Sequence, residues 1–349
     1  MTHLLILNYC MDLDDPALSH QVEAVNNLAT SFSKVTVITG RVGRMLVKEN
    51  VDVISLNWKQ GNPVRNMIGL FREVSHLLKD IDVVFSHMTE VQSFLVSPIT
   101  RWRHIPHYLW YAHAHKSFFL FISHKFVNGI ITSTSGSCPI KGNRVHVVGQ
   151  AINPKVFFRD IPTHSYISNL CHVGRFDESK NIAEIIEVVN NLRQINSELH
   201  LTLVGNPSNR KQELYAADLK QRYINFVESG WLTFKPSIPR DKLPQFLGNQ
   251  DLFIHAYRGS LDKTLIEATL FGMPVITVNE EYLSEFGRWG ELKLTGSNLL
   301  HEAQAFFLTS DTHRKSELER RQNEALENHG LEQWAAKISK ILHVSIRNN

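Results

Sequence analysis

The sequence has little cysteine, and its apolar runs are short. Its three cysteines, Cys10, Cys138 and Cys171, lie far apart and in no spacing typical of a metal site. We therefore expect buried, reduced thiols in a cytoplasmic protein. The N-terminus passes directly into a strand-sized apolar run, unlike a signal peptide, and no segment approaches the roughly 18 apolar residues that cross a bilayer. These features argue against a disulfide-rich or membrane-spanning protein.

Acidic residues are absent from one long stretch of the chain. Between Val91 and Arg159 there is no Asp or Glu. The basic residues of this stretch are Arg101, Arg103, Lys116, Lys125, Lys141, Arg144, Lys155 and Arg159. Such a stretch favours an anionic partner, for example phospholipid headgroups at the inner face of the membrane, if Arg101, Arg103, Lys116 and Lys125 form one surface with Trp102. If these charges are scattered over several faces, they predict no partner.

The rest of the composition is that of an ordinary globular protein. The chain has 349 residues, a formal net charge of +3, and 43% hydrophobic and 20% charged residues. Short apolar runs alternate with segments of helical spacing, beginning with strand Leu4–Leu7, helix Gln21–Phe32 and strand Val35–Ile38. This pattern predicts an α/β protein with doubly wound parallel sheets. We place the first domain at 1–160, the second at 168–325, and a terminal helix that crosses back to the first domain at 331–345.

The stretch from Ile254 to Val278 predicts a strand, a polar loop, a short helix and a second strand. The first backbone N–H groups of such a helix lack intrahelical partners and lie at the positive end of its dipole, so this position suits a phosphate. Glu267, one turn into the helix, could accept hydrogen bonds from sugar hydroxyls. The alternative is a solvated ion pair with Lys263, four residues earlier.

Residues 260–277, SLDKTLIEATLFGMPVIT, resemble the donor-binding motif of the family 4 retaining glycosyltransferases. The resemblance implies the GT-B fold, in which two Rossmann-like domains face each other across a cleft. It also implies that Glu267 holds the ribose of a nucleotide-sugar. The backbone N–H groups around Lys263, Thr264 and Leu265 would then face the diphosphate.

The motif departs from the family pattern at one position. The family has a second glutamate eight residues before the first, which contacts the donor sugar, and this chain has Gly259 there. Asp262 and Lys263 are similar to a branch of the family with a "D-K" variant of the loop. The resemblance therefore places Gly259 and Asp262 beside the donor without fixing how the sugar is held.

A second motif begins the second domain. Gly174, Arg175, Lys180 and Asn181 resemble the family pattern G-R-x-x-x-x-K-(G/N). Arginine and lysine together can neutralise a diphosphate leaving group, whereas a lone Arg-x4-Lys loop is usually solvated surface. The resemblance also implies that the loops at Gly205 and Lys235 surround the nucleotide base.

The first domain resembles the family more weakly. A predicted strand, Tyr108–Tyr111, leads to His113, which the resemblance places beside the reacting carbon of the donor, with His115 as the alternative. In an extended segment these two histidines would point to opposite sides, so we do not expect a shared metal. Ser19 and His20 lie where many family members have a Gly-Gly pair; we expect Ser19 to cap the following helix and His20 to be a candidate ligand contact.

The resemblance implies transfer of a sugar from a nucleoside diphosphate to a hydroxyl of a sugar or lipid-linked acceptor, with retention at the anomeric carbon, in cell-surface polysaccharide or glycolipid synthesis. We expect no metal or other cofactor and no nucleic-acid partner. No Asp-x-Asp motif lies where it would hold a metal–diphosphate, and the one at Asp12 and Asp14 is in the first loop. Arg175 and Lys180 would stabilise the leaving diphosphate. Two alternatives stay open: a GT-B epimerase or phosphorylase, and a non-catalytic nucleotide-sugar-binding protein.

Overall fold

The chain folds into two compact α/β units. The structure, a computed structural model, describes residues 2–15, 18–59, 61–162, 166–290 and 298–347. Unit 1 comprises Met1–Ala151 and Asn328–Asn349, and unit 2 comprises Ile152–Glu327. The change of unit therefore falls a few residues before the expected boundary at 160, and the chain returns to unit 1 at Asn328.

Unit 1 is built on a seven-stranded sheet. Its strands follow the order β3-β2-β1-β4-β5-β6-β7, and all paired neighbours are parallel. They are β1 His3–Met11, β2 Lys34–Val42, β3 Val51–Ser55, β4 Val83–His87, β5 His107–Trp110, β6 Gly129–Thr132 and β7 Val145–Val147. Strands β1, β4 and β5 are buried almost throughout, as expected for central parallel strands covered on both faces.

Helices cover both faces of this sheet. They are α1 His20–Leu28, α2 Pro63–Leu77, α3 Glu90–Trp102, α4 Phe118–Phe126 and, from the end of the chain, α14 Leu331–Arg347. Helix α14 belongs to unit 1 because its apolar stripe, which includes Trp334 and Ile338, packs into the same core as Val25 and Leu28 of α1. The predicted helix Gln21–Phe32 is shorter than expected, since a 3₁₀ turn at Ala29–Ser31 follows α1.

Unit 2 has a smaller sheet of the same kind. Its five parallel strands follow the order β10-β9-β8-β11-β12. They are β8 Asn169–Val173, β9 His200–Val204, β10 Leu232–Lys235, β11 Leu252–His255 and β12 Val275–Thr277. Its helices are α5 Pro154–Phe157, α6 Ile182–Arg193, α7 Arg210–Arg222, α8 Ile224–Glu228, α9 Leu243–Leu247, α10 Lys263–Leu270, α11 Glu280–Phe286, α12 Leu299–Leu308 and α13 Asp311–His329, of which the last two residues belong to unit 1.

Each sheet has a point where the strand order reverses. In unit 1 this point lies between β1 and β4, and in unit 2 between β8 and β11. The loops that leave the carboxyl ends of the two central strands diverge to opposite faces there, and the crevice between them is the usual ligand position in open parallel sheets.

Among the residues that the structure describes, no helix is both long and apolar enough to span a membrane.

Candidate functional site

The loops that leave β8 and β11 meet through an ion pair. Lys180 closes the loop after β8, and Asp262 ends the loop after β11. The Lys180 ammonium pairs with the Asp262 carboxylate and lies 3.8 Å from the centre of the Tyr257 ring. Only 7% of Lys180 is exposed, so its charge is held by these two groups rather than by water. The two sequence motifs of the second domain therefore converge at the strand-order reversal of unit 2.

Asp262 stands at the N-cap position of α10 without capping the helix. Its carboxylate accepts from Lys180 and from the ring of His255, at 3.2 Å from Nε2. Aspartate at this position usually accepts from the first backbone N–H groups, but no side-chain cap is present on α10 in the described part of the chain. The carboxylate is thus turned towards the lysine instead of shielding the helix N-terminus from an incoming anion.

A chain of hydrogen bonds fixes the proton on His255. The backbone N–H of Asn279 donates to the Thr277 hydroxyl oxygen at 3.1 Å, and that hydroxyl lies 3.3 Å from His255 Nδ1. Burial lowers the pKa of His255, although Asp262 opposes the shift, so the ring is neutral at pH 7. With Nδ1 accepting from Thr277, Nε2 carries the proton and donates to Asp262.

Asp262 itself stays ionised. Burial acts to raise the pKa of Asp262, but the hydrogen bond from His255 and the charge of Lys180 outweigh it and hold the pKa well below its usual range. The site therefore contains a charged Lys–Asp pair whose carboxylate is oriented by a hydrogen bond from a neutral histidine.

Glu267 is buried and paired with an arginine. It is only 2% exposed, and its carboxylate accepts from Arg240 at 2.5 Å. The Arg240 guanidinium also stacks 4.9 Å from the centre of the Phe157 ring. The alternative of a solvated surface pair with Lys263 is wrong, because the Glu267 carboxylate is buried. Arg240, at the end of the loop after β10, was not predicted as a site residue.

The first turn of α10 contains a hydroxyl without a partner. The Thr264 hydroxyl is buried and makes no hydrogen bond to any described residue. Leu265 is completely buried and Lys263 is half-buried, so Leu265 can reach a ligand only through its backbone. An orphaned hydroxyl beside a helix N-terminus is a ready donor to a phosphate oxygen.

Two of the predicted site glycines, Gly205 and Gly259, lie in close contact with their neighbours. A Cβ on Gly205 would lie 1.8 Å from the carbonyl oxygen of Gly174, so the loops after β8 and β9 touch through bare backbone. A Cβ on Gly259 would lie 2.0 Å from the Tyr257 hydroxyl. The place of the family's second glutamate is therefore next to the tyrosine that covers Lys180. Contacts of these glycines with a donor stay predictions.

Arg175 and Lys235 differ from Lys180 in exposure. Arg175 follows β8 and is exposed, and Lys235, at the end of β10, is also exposed, with its ammonium 5.7 Å from the centre of the Phe246 ring. Long exposed cations can move to meet a ligand, so their predicted roles are compatible with this arrangement. They are not fixed in place as Lys180 is.

In unit 1, His113 and His115 line one cavity. The cavity has a volume of about 300 Å³ and lies at the carboxyl edge of the sheet, where Tyr9 and Glu90 also line it. The expectation that the two histidines point to opposite sides is wrong, because β5 ends at Trp110 and the segment that follows is not extended strand. Both histidines are exposed, and the His113 ring lies edge-on to Tyr111 at 5.7 Å.

Ser19 and His20 begin α1. Ser19 occupies the N-cap position with helical torsions, φ −52° and ψ −32°, and within the described residues its side chain makes no capping hydrogen bond. The predicted cap is therefore wrong: a capping residue needs extended torsions to bring its oxygen over the first turn. His20 is buried, and its ring lies 6.4 Å from that of His87. A ligand contact for either residue stays a prediction.

The basic residues of the acid-free stretch lie at both edges of the unit 1 sheet. A helix that connects parallel strands runs back from the carboxyl to the amino edge. Arg101, Arg103 and Trp102, at the end of α3, thus lie at the amino edge with Lys125 of α4, whereas Lys116 precedes α4 at the carboxyl edge. Trp102 is 75% exposed, with the Arg103 guanidinium 5.6 Å from its ring.

Within the described residues, no group of three or more His, Cys, Asp and Glu side chains is placed to hold a metal ion. The expectation that no metal is required is a statement about the reaction and stays a prediction.

The two units define a fold, and that fold is GT-B: two Rossmann-like units with parallel sheets, as in known glycosyltransferases. Residues 168–314, all within unit 2, match the family model for glycosyl transferases group 1. No curated protein matches the chain. The fold that the resemblance implies is thereby confirmed. Residues 168–314 are similar to this group, while membership of the whole chain and the "D-K" branch stay predictions.

Several solved structures are similar over the whole chain. Alr3699/HepE from Anabaena, in complex with UDP and glucose, is 14% identical with a TM-score of 0.73, covering 98% of this chain and 100% of that one. Sucrose-phosphate synthase (tll1590) from Thermosynechococcus elongatus is 12% identical with a TM-score of 0.75, covering 100% of both chains. A glycosyltransferase from Rickettsia africae ESF-5 is 14% identical with a TM-score of 0.73, also covering 100% of both chains.

Proposed function

We propose that this protein is a retaining glycosyltransferase that transfers a sugar from a nucleoside diphosphate to a hydroxyl acceptor without a metal. The observation that carries the proposal is the pair of the buried Lys180 with Asp262 at the uncapped N-terminus of α10. A fixed cation, a helix N-terminus and the unpaired Thr264 hydroxyl together supply what a diphosphate leaving group requires.

The pair with Asp262 gives Lys180 a specific role. In the absence of a ligand the carboxylate balances the buried ammonium, which would otherwise be strongly disfavoured. When a diphosphate arrives, its oxygens add negative charge beside the same ammonium. As the bond between sugar and phosphate breaks, the leaving group gains charge, and Lys180 stabilises that charge more than the ground state. The exposed Arg175 closes on the other side of the diphosphate.

Glu267 holds the nucleoside in this proposal. A carboxylate fixed by Arg240 has a second oxygen that can accept from two adjacent ribose hydroxyls. Ribose hydroxyls do not change charge during transfer, so Glu267 contributes to donor binding and not to the chemical step. Gly174, Gly205 and Lys235 would line the remainder of the donor site. UDP-sugars are the first donors to test, because a similar structure contains UDP.

Retention needs no dedicated protein base. The departing diphosphate oxygen can take the proton of the acceptor hydroxyl on the same face of the sugar from which it leaves. His113, beside the cavity of unit 1, would lie near the reacting carbon. The neutral His255 orients Asp262 and has no direct part in the reaction.

The test is turnover by the purified protein. We expect at least one nucleotide-sugar in a panel of uridine, guanosine and adenosine diphosphate sugars to release nucleoside diphosphate, slowly with water and faster with an acceptor. NMR of the product should show the donor's anomeric configuration, and EDTA should leave the rate unchanged. Product with inverted configuration contradicts retention. Interconversion of sugars or phosphate-dependent cleavage identifies an epimerase or phosphorylase, and binding without turnover identifies a non-catalytic protein.

We also propose that unit 1 binds anionic membrane from the cytoplasmic side, with a lipid-linked acceptor in cell-surface polysaccharide or glycolipid synthesis. The exposed Trp102 between Arg101 and Arg103, with Lys125 at the same edge of the sheet, supports this proposal. Each basic residue near an anionic surface contributes about 1 kcal/mol, and tryptophan is favoured at the interface.

Sedimentation with vesicles tests this docking. The wild type should pellet with vesicles rich in phosphatidylglycerol at low salt and return to the supernatant at high salt, because screening weakens the attraction. The double variant Arg101→Ala/Arg103→Ala should pellet less than a control with Arg210→Ala and Arg222→Ala, two exposed arginines on α7. A wild type that stays in solution with strongly anionic vesicles rules out the docking and favours a soluble acceptor.

A further inference from the structure

We infer that Glu90, in the cavity of unit 1, is the residue that selects a neutral, hydroxylated ring as the acceptor. This assignment rests on the proposed function and specifies the chemistry of its second substrate. The cavity lies at the strand-order reversal of the unit 1 sheet. Tyr9 reaches it from β1, Glu90 from the start of α3 after β4, and Tyr111 from the end of β5.

The size and walls of the cavity suit one sugar ring. Its volume of about 300 Å³ is at the lower end of the range for small-ligand pockets, about 300–1,000 Å³. Tyr9, Trp110 and Tyr111 contribute aromatic surface, against which the C–H faces of a sugar can pack. These walls are fixed, because the Trp110 ring packs against His87 and Trp334, and the Tyr9 ring against Trp58 at 5.4 Å.

Glu90 supplies the polar contact that selects a hydroxylated ligand. One of its carboxylate oxygens, Oε2, is buried and has no hydrogen-bond partner among the described residues. A buried acceptor that lacks a donor is costly, and a ligand hydroxyl would remove that cost. Carboxylates are suitable for this purpose because each oxygen can accept more than one hydrogen bond.

The charge around the cavity disfavours a phosphate. None of the described residues that line it is a lysine or arginine, and Glu90 contributes a carboxylate. Burial, followed by the charge of Glu90, raises the pKa of Tyr9, and the same causes raise that of Tyr111 to about 12, so both phenols remain protonated donors. The Tyr111 hydroxyl donates to the carbonyl of His115 at 2.7 Å and holds that segment against the cavity. The ligand is therefore a neutral ring with hydroxyls.

Glu90 also has a structural function that the test must separate. It is the first residue of α3, where a negative charge is favoured by the helix dipole, with a typical effect below that of a buried hydrogen bond. Loss of this contribution would lower stability equally with and without ligand. A recognition residue instead changes acceptor affinity and leaves donor affinity unchanged.

The experiment is binding of simple glycosides in the absence of any nucleotide. Saturation-transfer difference NMR would be recorded for the octyl glycosides of glucose, galactose, mannose and N-acetylglucosamine, with the wild type, Glu90→Gln and Glu49→Gln. Glu49 is an exposed glutamate of unit 1 that precedes β3 and lies at the opposite edge of the sheet, so it is the matched control. Melting temperatures of all three proteins would be measured in parallel.

We expect at least one glycoside to bind the wild type. Its ring protons should show the strongest saturation transfer, because they lie closest to the protein. Glu90→Gln should weaken that binding about tenfold or more, the usual effect of losing a hydrogen bond to a charged group, and Glu49→Gln should leave it unchanged. The inference is overturned if no glycoside binds the wild type, or if Glu90→Gln only lowers the melting temperature. Because no donor is present, this result is independent of whether any nucleotide-sugar is turned over.

Discussion

The strand-order reversals of the two sheets have opposite character. In unit 2 two buried charged side chains are already paired, Lys180 with the half-buried Asp262 and Glu267 with the half-buried Arg240. In unit 1 the corresponding place is an aromatic cavity, and its described lining residues include one carboxylate and no lysine or arginine. In our proposals, the same topology thus provides a site for a diphosphate in one unit and for a neutral ring in the other. The backbone determines where a ligand binds, and the loop residues determine what it is.

In the proposed donor site, the ion pairs of unit 2 keep its cations in place for a phosphate. A lone buried ammonium would be strongly disfavoured, so a carboxylate accompanies each buried cation. The unit 1 cavity needs no such partners, because a sugar ring has no charge to balance. The following predictions test this difference, from the largest expected effect to the smallest.

Loss of the fixed cation should have the largest effect. Lys180→Ala removes the charge that stabilises the leaving diphosphate, so turnover should fall roughly 10²–10³-fold, by analogy with loss of one oxyanion donor. Donor affinity should fall less, since the leaving group gains charge only as the bond breaks. Steady-state kinetics of nucleotide release measure both quantities.

Lys211→Ala is the matched control for this variant. Lys211 is an exposed lysine of unit 2 that pairs with Glu178 at 2.7 Å. An exposed ion pair of this kind contributes little to stability, so its loss should leave turnover unchanged. Near-wild-type turnover in Lys180→Ala would show that Lys180 is not part of the donor site.

Glu267→Gln should act mainly through donor affinity. The amide keeps the shape of the side chain but weakens its hydrogen bonds to the ribose and to Arg240. Loss of a charge-assisted hydrogen bond is typically about 1.5–3 kcal/mol, so the donor Kd should rise about 10–100-fold with little change in kcat. Calorimetric titration with the donor measures the Kd. An unchanged value would contradict the ribose role, and a matching rise in acceptor KM would indicate a general loss of structure.

A smaller effect should appear in the dependence of stability on pH. Each unit contains a fully buried histidine at its central strands: His107 in unit 1 and His172 in unit 2. Burial lowers the pKa of each to about 3. Between the ordinary value of 6.5 and about 3, the unfolded chain binds the proton and the folded chain does not, so stability decreases as pH falls through this window. Within this window, each histidine should lower the free energy of unfolding by about 1.4 kcal/mol for each unit by which the pH falls.

Substitution of each histidine tests the acid sensitivity of one unit separately from the other. Hydrogen exchange between pH 7 and pH 5, followed by mass spectrometry, should show less acid sensitivity in β8 and β11 peptides of His172→Gln than of the wild type. In His107→Gln the same change should appear in β4 and β5 peptides. Equal acid sensitivity in variant and wild type would mean that these rings are already protonated, or accessible to water, in the folded protein.

The sequence predicted the strands of both sheets better than the helices between them. Apolar runs such as Leu170–Val173 and Val83–Phe85 are short, continuous and bounded by polar loops, which is typical of central parallel strands. Helices α3 and α4 were not predicted. Helix α3 contains Pro98 and polar residues on its buried side, and α4 is apolar almost all round, so neither has a clear amphipathic period.

The residues of the proposed donor site were largely predictable from the sequence, and those of the proposed acceptor cavity were not. Lys180 and Asp262 each lie in a short local motif after a strand, and parallel topology brings such loops together. Arg240 had no local signal, since its partner Glu267 lies in another loop and helix. Tyr9, Glu90 and Tyr111 are single residues from three distant segments. A cavity formed in this way has no sequence motif or residue spacing from which it could be predicted. Ser19 was misassigned because its residue type favours a cap and its backbone torsions do not.

Binding of nucleoside diphosphates to three variants tests the division of roles most directly. Calorimetric titration would compare the wild type with Lys180→Ala, Glu267→Gln and Glu90→Gln, using the nucleoside diphosphate that the turnover assay releases. We predict that both unit 2 variants bind it more weakly, at least tenfold for Glu267→Gln, and that Glu90→Gln binds it as the wild type does. Wild-type binding by both unit 2 variants, or a loss of binding in Glu90→Gln alone, would contradict the assignment of the diphosphate to unit 2.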